Sequence, residues 1–121
     1  MKLVNKLGPC RGYVLFSLFG WTVELWRIAP KYTVPKHSHT NIDNWIIYLF
    51  GEAMVGKISG KGNPISIWLD STQRFRKMHI APSEIHWIVG SDKPLWLLTV
   101  QHWIDPSSKP ISVSENITYE T

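Results

Sequence analysis

The sequence predicts an all-β, single-domain chain folded as an antiparallel β-barrel. Three observations carry that expectation. Short β-rich runs recur along the whole chain. Clusters of Gly, Pro, Asn, Asp and Ser separate them at close intervals. No stretch carries apolar residues at three-and-four spacing between helix caps.

Taken in order, Gly8-Pro9 closes a first segment, and the apolar run 13–19 that follows ends at Gly20. Pro30 and Pro35 punctuate the approach to a histidine pair. The run 45–50 is apolar on both faces, as expected of a strand enclosed in a barrel or sandwich, and Gly51 ends it. A turn spans 60–64, after which Ile65-Ser66-Ile67-Trp68-Leu69-Asp70 alternates cleanly. Pro82-Ser83 and Gly90-Ser91-Asp92 mark two more turns, and 95–100 is again apolar on both faces. Beyond Asp105-Pro106 the chain is more polar; Ile111-Ser112-Val113-Ser114 alternates as a final strand would, with a loose tail around it. Such spacing suits about eight to ten strands. With 121 residues, no internal repeat and no linker, residues 1–121 form one domain, large enough to hold a core without disulfides.

Composition excludes several classes. Cys10 is the only cysteine, so neither an internal disulfide nor a cysteine-cluster zinc site is available, and a reducing compartment is expected. The run 13–19 has seven residues, far short of the roughly 20 that a helical membrane span needs. Pro9, Arg11 and Gly12 interrupt what would be the apolar part of a secretory signal. A cytoplasmic location with no membrane partner is therefore expected, and the sequon Asn116-Ile117-Thr118 is read as a chance match. The net charge of +4 and the seven tryptophans raise a nucleic-acid reading. The basic residues are scattered, however, and their densest group, Arg74, Arg76 and Lys77, is a solvated patch rather than a phosphate track. No specific nucleic-acid partner is expected, and a single-stranded nucleic-acid-binding barrel of the OB kind ranks last among the functional alternatives.

His37-Ser38-His39 is the most informative triplet. Residues two apart on a strand share a face, so both imidazoles project into one space. Neutral imidazole suits iron, nickel, zinc and copper, but two ligands do not hold a catalytic ion, and the pair alone fits a polar loop equally well. A third histidine follows in Ile80-Ala81-Pro82-Ser83-Glu84-Ile85-His86-Trp87, where a turn feeds a strand.

Here the sequence resembles the cupin superfamily. The first cupin motif is His-x-His, four residues, a glutamate, six residues and a glycine; His37, His39, Asn44 and Gly51 stand at those spacings. The second is a proline-rich turn ending in a histidine five residues after the first proline, a frame filled by Ala81, Pro82, Ser83 and His86. The resemblance runs from about Trp26 to about Trp103. It implies a cupin-type, jelly-roll-like barrel whose interior holds a divalent transition metal (Fe, Mn, Ni or Zn) on His37, His39 and His86. Three departures stand out: the leading glycine of the first motif is Lys31, the glycine of the second is Ser83, and the glutamate that usually completes the shell is Asn44. An amide oxygen is a weaker ligand than a carboxylate. Asp43 lies next door, but adjacent strand residues face opposite sides, and the spacing favours Asn44 as the inward one.

Tyr48 shares Asn44's face, and Glu84 shares that of His86, so these two are the candidates for moving protons beside the metal. His79 and His102 are read as surface or satisfied histidines, and the tryptophans mostly as core and barrel cover. The resemblance implies a metal-dependent enzyme acting on a small molecule inside the barrel, with dioxygenase, isomerase or lyase chemistry. A non-catalytic cup for a metabolite or metal is the alternative. Pairing into a homodimer through strand edges is a further expectation.

Overall fold

A computed structural model describes residues 2–104 and 117–119, with side chains described for residues 8–104. Nine strands lie among them: β1 (Lys2–Leu7), β2 (Cys10–Leu18), β3 (Trp21–Ile28), β4 (Thr33–His39), β5 (Ile42–Ile58), β6 (Pro64–Leu69), β7 (Lys77–Ile80), β8 (His86–Trp103) and β9 (Ile117–Tyr119). The one helical element among the described residues is a 3₁₀ turn at Ser71–Gln73, capped by the Asp70 carboxylate, which accepts from the Thr72 amide at 2.9 Å. No helix among the described residues is long and apolar enough to cross a membrane. The runs read from the sequence at 45–50 and 95–100 fall in β5 and β8, and that at 65–70 falls in β6 up to Leu69, with Asp70 just beyond it. The proposed strand at 111–114 and the sequon residue Asn116 lie outside the described residues.

Every strand pairing is antiparallel. Strands β5 and β8 are 17 and 18 residues long, and a straight strand of that length would run about 55 Å. Both therefore bend and serve two layers of one continuous sheet. In the first layer β1, β2 and β3 lead to the second half of β8, then to the first half of β5 and to β7. In the second, β9 and β4 lead to the first half of β8, then to the second half of β5 and to β6. The bend in β5 comes at two register shifts, between Tyr48 and Phe50 and between Gly51 and Ala53. Gly51 holds φ at 104°, and a Cβ there would fall on the carbonyl oxygen of Pro94 in β8. Only glycine allows the two backbones to approach so closely.

Alternation sorts the residues. Along β5, Ile42, Asn44, Ile46 and Tyr48 are buried while Asp43, Trp45, Ile47 and Leu49 are half-exposed. The barrel interior divides along its length. One half is apolar, built from Ile28, Val34, Ile46, Val55, Ile88 and Leu97 with their neighbours. The other carries Thr22, Glu24, His37, His39, Asn44, His86, Thr99 and Gln101, all buried. The tryptophans serve mostly as cover: Trp26 lies over Gly12 and Trp87 over Gly56, and of the seven only Trp103 is buried. Cys10 is a buried free thiol whose sulfur accepts from the Ala29 amide at 3.4 Å; burial pushes its pKa up, which makes it a core residue.

Candidate metal centre

His37 and His39 reach the interior because β4 shifts register between Val34 and His37 and then runs straight, which sets the two side chains on one face. His86 opens β8 directly opposite His37 in the ladder. The turn before it is fastened from several sides. The Ser83 amide donates to the His39 carbonyl at 2.7 Å, joining the two histidine segments, and the Glu84 amide donates to the Ala81 carbonyl at 3.1 Å. From β5, the Ile58 amide donates to the Ile85 carbonyl at 2.8 Å.

The result is a cluster in which one ligand atom from each of the three histidines lies within 4.8 Å of the others. Ring centroids are 4.1 Å apart for His37 and His86, 5.0 Å for His39 and His86, and 5.1 Å for His37 and His39. The residues are 9%, 8% and 4% exposed in sequence order. Burial lowers the pKa of all three, to about 3 for His39 and about 4 for His86, with repulsion among the imidazoles adding to the effect on those two. All are thus neutral at physiological pH, the state in which imidazole ligates a metal. His37 Nδ1 lies 2.8 Å from the Pro35 carbonyl, and His86 Nδ1 lies 3.1 Å from the Glu84 carbonyl. A carbonyl only accepts, so each Nδ1 carries the proton and each Nε2 keeps its lone pair, the usual outer support of a metal-ligating histidine. His39 Nδ1 is buried without a hydrogen-bond partner. Three neutral, pre-oriented imidazoles around a shared point fit a divalent transition metal.

Asn44 is 5% exposed and turns inward, and its Oδ1 has no partner. Asp43 turns outward, where its carboxylate meets His79 Nε2. The period-two expectation for this pair matches the structure. Tyr48 shares Asn44's inward face but sits in the apolar half, fully buried, with its hydroxyl donating to the Gly51 carbonyl at 2.7 Å. Glu84 fastens the turn: its Oε1 accepts from the Ala81 amide at 2.7 Å and from Lys57 Nζ at 3.2 Å. Burial alone would raise its pKa, but these two partners and the Gly60 backbone together outweigh it and hold the carboxyl low. Its carboxylate is not among the atoms that converge on the cluster. His79 and His102 lie on the outer face, stacked on Trp45 and Trp21 with centroids 5.1 and 4.4 Å apart.

The structure adds a polar group that the sequence pattern did not single out. Glu24 is fully buried, and its Oε1 accepts from Gln101 Nε2 at 2.8 Å, Trp26 Nε1 at 3.1 Å and Thr99 Oγ1 at 3.5 Å. Within Trp21–Ile28 it stands between Val23 and Leu25, and the only sequence signal was a lone carboxylate in an apolar strand.

No sequence-family model matches the chain, and no curated protein matches it in sequence. Solved structures do match in fold. A cupin-like protein from Thermotoga maritima superposes with a TM-score of 0.68 at 15% identity, over 94% of this chain and 77% of that one. A double-stranded β-helix protein from Klebsiella pneumoniae gives 0.67 at 16% identity, over 97% and 89%. The oxalate decarboxylase of Lactobacillus farciminis, solved as a formate complex, gives 0.71 at 16% identity over 95% of this chain; the chain spans only 32% of that protein. These likenesses show a cupin fold.

Proposed function

We propose, from a cupin fold with three convergent histidines inside it, that this chain is a metal-dependent enzyme acting on a small molecule in the barrel. The observation that carries the proposal is the approach of one ligand atom from each of His37, His39 and His86 to within 4.8 Å of one another. Those three residues hold one divalent transition-metal ion (Fe, Mn, Ni or Zn), with the Asn44 oxygen as a weak fourth ligand. A metal held by three neutral ligands with open positions supplies Lewis-acid or oxygen chemistry. The protein fixes the His37 and His86 imidazoles through the Pro35 and Glu84 carbonyls and excludes bulk water by burying all three rings.

A second reading, a non-catalytic metal-binding cup, is favoured by one observation. Tyr48 and Glu84, the two residues expected to move protons, are both engaged in structural hydrogen bonds. Metal analysis of protein purified without tag or chelator tests the site. About one ion per chain is expected, as in a single mononuclear centre. Occupancy should collapse in His86→Ala and in the double variant His37→Ala/His39→Ala, but not in His79→Ala or His102→Ala. Equal occupancy in the double variant and the wild type would refute the site. Turnover lost in step with the metal separates the enzyme from the cup.

A further inference from the structure

We infer that Glu24 and Gln101 form the recognition wall for a small molecule that presents hydrogen-bond donors, an amine or a polyol, on the inner face of the first layer. The inference rests on the metal-site reading above and names a substrate class for it. Glu24 in β3 and Gln101 in β8 are 0% and 4% exposed, and both point into the barrel. Each uses one end of its side chain on the other: Gln101 Nε2 donates to Glu24 Oε1 at 2.8 Å. The remaining ends, Glu24 Oε2 and Gln101 Oε1, are buried oxygens without partners. Asn44 lies beside Gln101 in the β5–β8 ladder, and its Oδ1 is the oxygen assigned above to the metal.

A buried acceptor left without a partner costs about 1–3 kcal/mol, more for a charged group. Two on one stretch of wall are therefore a persistent cost to the fold unless something donates to them. Both are acceptors, so the complement is a group bearing N–H or O–H. Burial lifts the Glu24 carboxyl above its usual range despite its three donors, as expected of a carboxylate still short of hydrogen bonds. No Lys or Arg is buried among the described residues, and the half-buried Lys57 is held by Glu84 and the His79 carbonyl. In the metal-free protein a dicarboxylate would meet Glu24 with no cationic side chain to offset the repulsion.

The test uses the full chain, both metal-loaded and metal-free. Calorimetry measures binding of a panel of aliphatic amines, exemplified by 1,4-diaminobutane, and of polyols, exemplified by myo-inositol. Oxalate and malonate form the anionic arm. Amine or polyol members should bind, and Glu24→Gln, which replaces an acceptor by a donor at the same size, should weaken them at least tenfold. The dicarboxylates should not gain from Glu24. A second readout does not need that variant to fold: the indole resonance of Trp26, which donates to Glu24 at 3.1 Å, should shift on binding, while those of Trp68 and Trp96 on the outer surface should not. Two results would overturn the inference: dicarboxylates binding the metal-free protein more tightly than any donor-bearing probe, or no amine or polyol binding that depends on Glu24. Failure of the triad reading shows separately, as absence of metal from the wild type.

Discussion

Lys31 and Ser83 stand where cupin motifs usually carry glycine, and both keep the backbone that glycine favours, with φ of 62° and 68°. A left-handed conformation costs a side-chain-bearing residue about 1–2 kcal/mol, partly offset by the greater freedom glycine has when unfolded. Lys31→Gly and Ser83→Gly should each stabilise the protein by about 0.5–1 kcal/mol in urea melts, since the Ser91 and His39 carbonyls are met by backbone amides that glycine retains. Destabilisation by either change would mean that the side chain has a role of its own. At Asn44 the expected effect is on the metal. Asn44→Glu places a carboxylate on the inward face and should tighten metal binding while slowing turnover, because a position needed by substrate is filled. Asp43→Asn should leave metal content unchanged and affect only the surface pairing with His79. A reversed outcome, with Asp43→Asn stripping the metal, would place the carboxylate inside.

At the scale of elements, the barrel depends on β5 and β8 crossing between layers together. Gly51 is the point where that crossing permits no side chain: the left-handed φ and the Pro94 carbonyl both oppose a Cβ. Gly51→Ala should cost about 3 kcal/mol or more, combining backbone strain with overpacking. The variant's midpoint in urea measures it, and a change under about 1 kcal/mol would show that β5 can bend elsewhere. The same element supplies Asn44 before the bend and Lys57 after it, so loosening Gly51 should lower metal occupancy as well as stability. The turn 81–85 is the other element on which the centre rests. Glu84 acts there by fastening the Ala81 amide and Lys57, which positions His86.

For the molecule as a whole, three buried neutral imidazoles tie stability to acidity. Unfolded, each takes up a proton near 6.5; in the metal-free fold His39 and His86 wait until about 3 and about 4. Between those values the unfolded chain binds more protons, so stability is complete above about 6.5 and drains as pH falls towards 4. Glu24 runs the other way. Its pKa is raised from 4.5, so its contribution is present at low pH and is lost as pH rises through the folded value. With three histidines against one carboxyl, the melting temperature of metal-free protein should fall on acidification from pH 7 to 5, more steeply in Glu24→Gln. A flat profile in both proteins would show that the rings are not held neutral.

The sequence by itself determined the class of fold and, through its resemblance to the cupin motifs, singled out the three histidines that the fold brings together. Alternation and turn chemistry act over a few residues, and the motif spacing is written in the order 37, 39, 86. It also determined that Asn44 rather than Asp43 faces inward, because period two is a property of any strand. What only the tertiary structure decided is which face of β3 is the inside. Val23 and Leu25 are apolar and lie on the outer face, whereas Glu24 is buried; a strand with apolar residues on both faces carries no local mark of its direction. The partners of Glu24 come from Thr99 and Gln101, more than seventy residues away, and the pairing of Glu84 with Lys57 spans 27 positions. A side chain's chemistry is a property of its neighbours, and these neighbours are brought together by the bends of β5 and β8 rather than by sequence order.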